Sequence, residues 1–195
     1  IEVDSLMHSP ILSVSAFDFI VRKEEVDSRI LPKIKDKAFE PQWASYTKAI
    51  ERKYGKDVMQ RIILRSKSYW YLVREEWPMA IKSLLEEIEV LGIPIAPLKQ
   101  NEINTNIYKV VFQNSSDKKE LERGAKIVEQ LVHKNPNRYH YIDTYASLLY
   151  KMGKIENAIE WEKNALKIAS ELKEKKSAGF YENVIIKMKK GVAIW

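Results

Sequence analysis

The chain has 195 residues, 45% of them apolar, with six glycines and seven prolines; that is ample side chain for a core and too little Gly and Pro for disorder. Its 33 Lys and Arg stand against 27 Asp and Glu for a net charge of +6, but the charges are interleaved, as on solvated helix faces, rather than massed into a nucleic-acid footprint. The absence of cysteine excludes disulfides, thiolate metal sites and cysteine nucleophiles, and no apolar run of about 18 residues is present to span a membrane.

Period-two runs of Val and Ile are missing, so the expected class is all-α. Residues 1–12 read as irregular, with Ser9-Pro10 as a turn signal. Ser13 or Ser15 is placed to cap a helix through Phe17, Phe19, Ile20 and Val21. Residues 30–41, with Pro32 and Pro41, read as a connection with a short helix. Glu40-Pro41-Gln42 then opens a helix with Trp43, Tyr46, Ile50 and Tyr54 on one face, ended by Gly55. Residues 57–75 form a long helix with Val58, Ile62, Ile63, Tyr69 and Leu72 as its apolar stripe. Trp77-Pro78 opens a partner helix that buries Leu84, Leu85, Ile88 and Leu91, and Gly92 ends it. The Pro-stiffened stretch 93–97 is an extended spacer. It divides the chain into a helical region 1–92 of degenerate hairpins and a region 93–195 of stacked hairpins.

The second region carries the clearest pattern. Residues 140–169 read as two helices joined at Met152-Gly153-Lys154, with small residues where the helices touch: Ala146 on the first, Ala158 and Ala165 on the second. Gly153 supplies a positive φ past a helix end. Moving back 34 residues puts Gly124 under Ala158, Leu131 under Ala165 and Phe112 under Ala146. An earlier hairpin follows, with its first helix at about 103–113 and its second at 121–136, capped by Ser116 or Asp117. A last helix, about 177–190, turns Phe180, Val184, Ile185 and Met188 inward and caps the stack. The apolar tail 192–195 either docks back or marks where a longer chain was cut.

The residues Ala146, Gly153, Ala158 and Ala165, with Asn135-Pro136 before them, resemble a tetratricopeptide repeat. That resemblance implies stacked helical hairpins in an α-α superhelix, which bind partners and perform no chemistry. Across Arg52-Lys-Tyr-Gly-Lys56, 143–153 and 158–162 the chain also resembles the helical C-terminal half of bacterial envelope proteins that carry a thioredoxin-like domain. This second resemblance implies an accessory, partner-binding role in the periplasm or cell envelope, with the cytoplasm as the alternative setting. It further implies docking to a redox domain missing from this chain, which begins with Ile1 and so reads as a processed form or a fragment.

No motif for catalysis competes. His8, His133 and His140 have no carboxylate at ligand spacing, so no metal or cofactor is expected. Glu24-Glu25 and Glu86-Glu87 point about 100° apart on a helix and cannot act as dyads. No glycine-rich phosphate cradle or nucleophile elbow occurs. Trp43, Trp70, Trp77, Trp161 and Trp195 read mainly as core, with one or two available to line a groove. If the first helices line a concave face, Asn106, Lys109 and Gln113 face it from one hairpin. His140, Asp143, Thr144, Ser147, Tyr150 and Lys151 face it from the next. Such a polar, mildly basic lining suits an extended peptide or an acidic segment of a protein partner. Nucleic acid and membranes are not expected partners, and no enzymatic activity is expected.

Overall fold

The computed structural model describes residues 14–195, with side chains from Ala16 onward. Ser13 therefore lies outside the described residues, as does the expected turn at Ser9-Pro10. The described residues are all-helical, with no strand, and the chain divides into two compact units, residues 1–91 and 92–195.

In the first unit α1 (Val14–Arg22) runs through a π-type turn, Lys23–Asp27, into a single helical turn, Ser28–Ile30, and a 3₁₀ turn, Leu31–Lys33. Ser15 is thus already inside the helix. Then come α2 (Trp43–Tyr54), α3 (Lys56–Val73) and α4 (Trp77–Leu91). Gly55 turns α2 into α3 at φ 85°, a conformation that costs other residues a steric clash. α3 packs against α1, α2 and α4. Its inward face departs from the expected stripe: Tyr69 is 45% exposed, while Leu64, Trp70 and Tyr71 are buried. Trp70 meets Phe39 edge-on. That neighbour comes from the 34–42 loop, which periodicity within α3 alone cannot reveal.

Arg74 fixes the loop. Its guanidinium donates to the carbonyls of Ile34 (3.2 Å), Asp36 (2.7 Å) and Lys37 (3.2 Å) and to Glu76 Oε1 (2.6 Å). It also lies 4.7 Å from the Trp70 ring centroid. Elsewhere in this unit the buried Asp18 pairs with Arg61 and Arg65 at 2.7 and 3.2 Å.

The second unit contains α5 (Pro97–Asn106), continued by a π-type segment Ile107–Phe112, then α6 (Lys118–Lys134), α7 (Tyr139–Lys151), α8 (Ile155–Glu171) and α9 (Lys175–Lys189). The first of these helices starts at Pro97, ahead of the expected 103, because Pro at N1 sacrifices no helical hydrogen bond. Its last turns widen so that Ile107, Val110, Val111 and Phe112 all face inward, each 0–1% exposed. Asp117 is the cap of α6, accepting from the backbone N–H of Lys119 and Glu120. Successive helices pack on one another: the π segment on α6, α6 on α7, α7 on α8 and α8 on α9.

The expected close contacts are present. Ala146, Ala158 and Ala165 are all 0% exposed. A Cβ on Gly124 would stand 3.2 Å from Val111 Cγ1, so the bare backbone is what lets α6 approach the π segment. On α9 the inward residues are Tyr181, Val184, Ile185 and Met188, whereas Phe180 is 51% exposed. One step along a helix turns a side chain by about 100°, and the two aromatic neighbours exchange roles.

Candidate functional site

Two clusters lie on α7, near its ends. Residues 143, 147, 150 and 151 share one side of that helix by their spacing. Val184 and Met188 of α9 pack with Ala146, Leu149 and Tyr150 in one core cluster.

At the C-terminal end, the tail 192–195 docks back. The Tyr150 hydroxyl donates to the carbonyl of Val192 at 3.0 Å and to that of Met188 at 3.4 Å. The Trp195 ring lies 6.3 Å from Phe112 and 6.2 Å from Tyr150, centroid to centroid. Lys151 Nζ donates to the Phe112 carbonyl at 2.5 Å and sits 4.9 Å from the Trp195 ring. Burial lowers the Lys151 pKa, and the two aromatic faces stabilise its charge. Trp195 remains 53% exposed, so the tail is held by a few specific contacts and not by engulfment.

At the other end, Asp143 meets Glu162 of α8. Glu162 is 0% exposed and sits on the stripe Ala158, Glu162, Ala165, Ala169, whose other members are also fully buried. Neither of its oxygens accepts a hydrogen bond from a donor among the described residues. Its polar neighbour is the Asp143 carboxyl. Burial lifts Asp143 to about 7, against the hydrogen bond to Glu162, which acts the other way. Burial first, then the Asp143 charge, lift Glu162 higher still.

Two tyrosines lie within electrostatic range of the pair. Burial and then the Asp143 and Glu162 charges raise the phenols of Tyr108 and Tyr181. Tyr139 meets Tyr181 edge-on with centroids 5.8 Å apart. Tyr139 also lines an open depression with Arg138, His140 and Leu172, and Asp143, Tyr108 and Tyr139 are only partly buried.

The expected groove residues thus separate. Tyr150 and Lys151 come together around the tail, and Asp143 joins Glu162. His140 is half-buried with its ring 3.4 Å from Asn101 Oδ1, and burial followed by the Arg138 charge lowers its pKa. Lys109 and Gln113 are exposed and Asn106 is half-buried. Thr144, Ser147 and Tyr150 do not line an open surface: they are 1%, 2% and 7% exposed. The reason for this correction is α9, whose docking covers the face that an isolated hairpin would leave bare. Sequence reasoning passed over Glu162, Tyr108, Tyr139 and Tyr181. The signal for Glu162 was its place at helical spacing among three small residues, where a carboxylate has no structural reason to be.

No protein-family model, curated protein or solved structure matches this chain, so its chemistry has to be read from its own residues. Among the described residues no helix is long and apolar enough to cross a membrane, and no group of three His, Asp or Glu side chains could hold a metal.

Proposed function

We propose that residues 92–195 are a tetratricopeptide-like interaction module, without catalysis of its own, that binds an extended apolar segment of a protein partner at the C-terminal end of α7. The observation that supports this reading is the tail. A short stretch without helix, Val-Ala-Ile-Trp, engages Tyr150 through a backbone carbonyl and Phe112 and Lys151 through a terminal aromatic ring. Main-chain recognition combined with a side-chain pocket is how extended peptides are bound. The chain therefore carries a sample of its own ligand chemistry. By the resemblance noted at 52–56, 143–153 and 158–162, the partner is a redox domain or another envelope protein.

The test opens the site and offers the segment back. In Trp195→Ala the aromatic end is vacated, and an acetylated Gly-Val-Ala-Ile-Trp peptide should bind it in a titration followed by NMR. Shifts should centre on Phe112 and Tyr150. Affinity should fall on adding Lys151→Ala, and more modestly on adding Tyr150→Phe, which removes one hydroxyl donor. An absence of binding, or binding indifferent to both changes, would refute an α7 peptide site.

A further inference from the structure

The last helix carries a face that its own packing leaves uncovered. α9 packs on α8 and buries Tyr181, Val184, Ile185 and Met188. At about 100° per residue, Ile186, Lys190, Asn183, Lys176, Lys187 and Phe180 fall in that order on one arc of about 120° on the opposite side. All six are exposed, and the two ends of the arc are apolar, with Ile186 44% and Phe180 51% exposed. Glu182, the one acidic residue of α9, lies about 40° outside the arc. No ion pair or hydrogen bond joins the side chains of Lys176, Lys187 or Lys190 to another described residue. Past the Gly191 turn, the Val192 N–H donates to the Lys187 carbonyl at 3.0 Å. That bond keeps a third half-exposed apolar side chain at the end of the helix. Along the sequence these lysines are interleaved with other residues, and it is the helix that gathers them. The terminal helix of a stack normally turns a polar face outward; Phe180 and Ile186 break that pattern.

We propose that this outer face of α9 docks on the surface of an anionic lipid bilayer, with Lys176, Lys187 and Lys190 at the headgroups and Phe180 and Ile186 seated beside them. The helix lies on the membrane and does not cross it. Every cation of α9 is a lysine. A lysine meets a diffuse negative surface as a point charge on a flexible stem, whereas pairing with individual carboxylates or phosphates is the strength of the arginine fork. Lysine stems rest on apolar surface while their heads stay in water, which places Phe180 and Ile186 at the boundary between headgroups and acyl chains. A single-stranded nucleic acid would ask for rings on which its bases stack, and Ile186 offers none. Each lysine near an anionic membrane adds to the attraction, and with its one acid off the arc the face presents them unopposed. The proposal does not rest on the peptide reading of α7.

The full chain is sedimented with vesicles of phosphatidylcholine alone and of phosphatidylcholine with phosphatidylglycerol at about three to one, at low and at physiological salt. It should bind the mixed vesicles, more weakly at the higher salt, and stay in solution with the neutral ones. Lys176→Gln, Lys187→Gln and Lys190→Gln together should weaken binding about a hundredfold. The same charge removed from α6, by Lys118→Gln, Lys119→Gln and Lys134→Gln, should change it less than about threefold. Phe180→Ser with Ile186→Ser should weaken it about tenfold and keep its salt dependence. All the replaced side chains are exposed, and circular dichroism with urea midpoints verifies that each variant folds. No binding to the mixed vesicles, or equal binding to both kinds, would overturn the proposal. Equal losses from the α6 and α9 lysine variants would overturn the choice of this face. Unchanged binding by the serine variant would overturn the seating of Phe180 and Ile186. Tighter binding of polyuridylate or polyglutamate than of the mixed vesicles, lost in the α9 lysine variant, would give the face to a nucleic acid or to an acidic protein instead.

Discussion

Replacing Arg74 by methionine separates its donors from its bulk. The arginine side chain is 2% exposed, and it is the common partner of three carbonyls in the loop between Leu31 and Gln42. Each such bond contributes about 1 kcal/mol net, so their loss removes about 3 kcal/mol. The Trp70 contact at 4.7 Å adds about 0.5–1 kcal/mol. The Glu76 ion pair is discounted, because its carboxylate is 31% exposed and regains water when the arginine is gone. The expected total is about 3–4 kcal/mol, from the first unit alone. Arg74→Lys should recover about a third, since one ammonium cannot reach three carbonyls as a planar fork does. Urea unfolding followed by tryptophan fluorescence measures the loss as a lower midpoint at unchanged slope. Hydrogen exchange at the amides of Asp36 and Phe39, which bond to Lys33 and Asp36 carbonyls at 2.9 and 3.2 Å, reports the loop directly. A loss under about 1 kcal/mol, or equal losses for Met and Lys, would show that the loop is held by packing and not by the guanidinium.

Glu162→Gln should stabilise the second unit at high pH only. Glu162 keeps its proton to a higher pH folded than unfolded, so its favourable contribution is full below about pH 4 and is lost as pH rises through neutrality. Thermal unfolding should show the variant gaining at least about 2 kcal/mol at pH 8 and almost nothing at pH 4, since each pKa unit carries about 1.4 kcal/mol. Gly124→Leu, driven against Val111 from a Cβ position only 3.2 Å from Cγ1, should cost about 2–3 kcal/mol. Gly124→Ala should fall near zero, because about 1 kcal/mol of helix propensity offsets the contact; urea midpoints of both variants check the pair. Asp117→Ala strips the N–H groups of Lys119 and Glu120 of their acceptor and should cost about 1 kcal/mol by the same measurement.

What was legible in the sequence was local. Gly55 and Gly153 stand at φ 85° and 80°, Asp117 caps α6, and the alanines of the last hairpin are where helices touch. Each of these depends on a few neighbouring residues. The site was less legible because it depends on a third element. Tyr150 belongs to an open face only while α9 is ignored; Val184 and Met188 close over it. The exchange of Phe180 for Tyr181 has the same origin, a helix phase set by what it docks against. Trp195 found its place through Phe112, 83 positions away in the chain by their numbers, a pairing no periodicity encodes.

The two ends of α7 differ in how their needs are met. At the tail the polar side chains of α7 have partners: Tyr150 a carbonyl, Lys151 a carbonyl and two rings. At the other end Glu162 is fully buried, and its oxygens accept from no donor among the described residues. Alanine holds the equivalent places one turn to either side, at 158 and at 165, so an apolar solution was structurally at hand. Buried ionisable groups that work against stability mark positions shaped by something other than the fold.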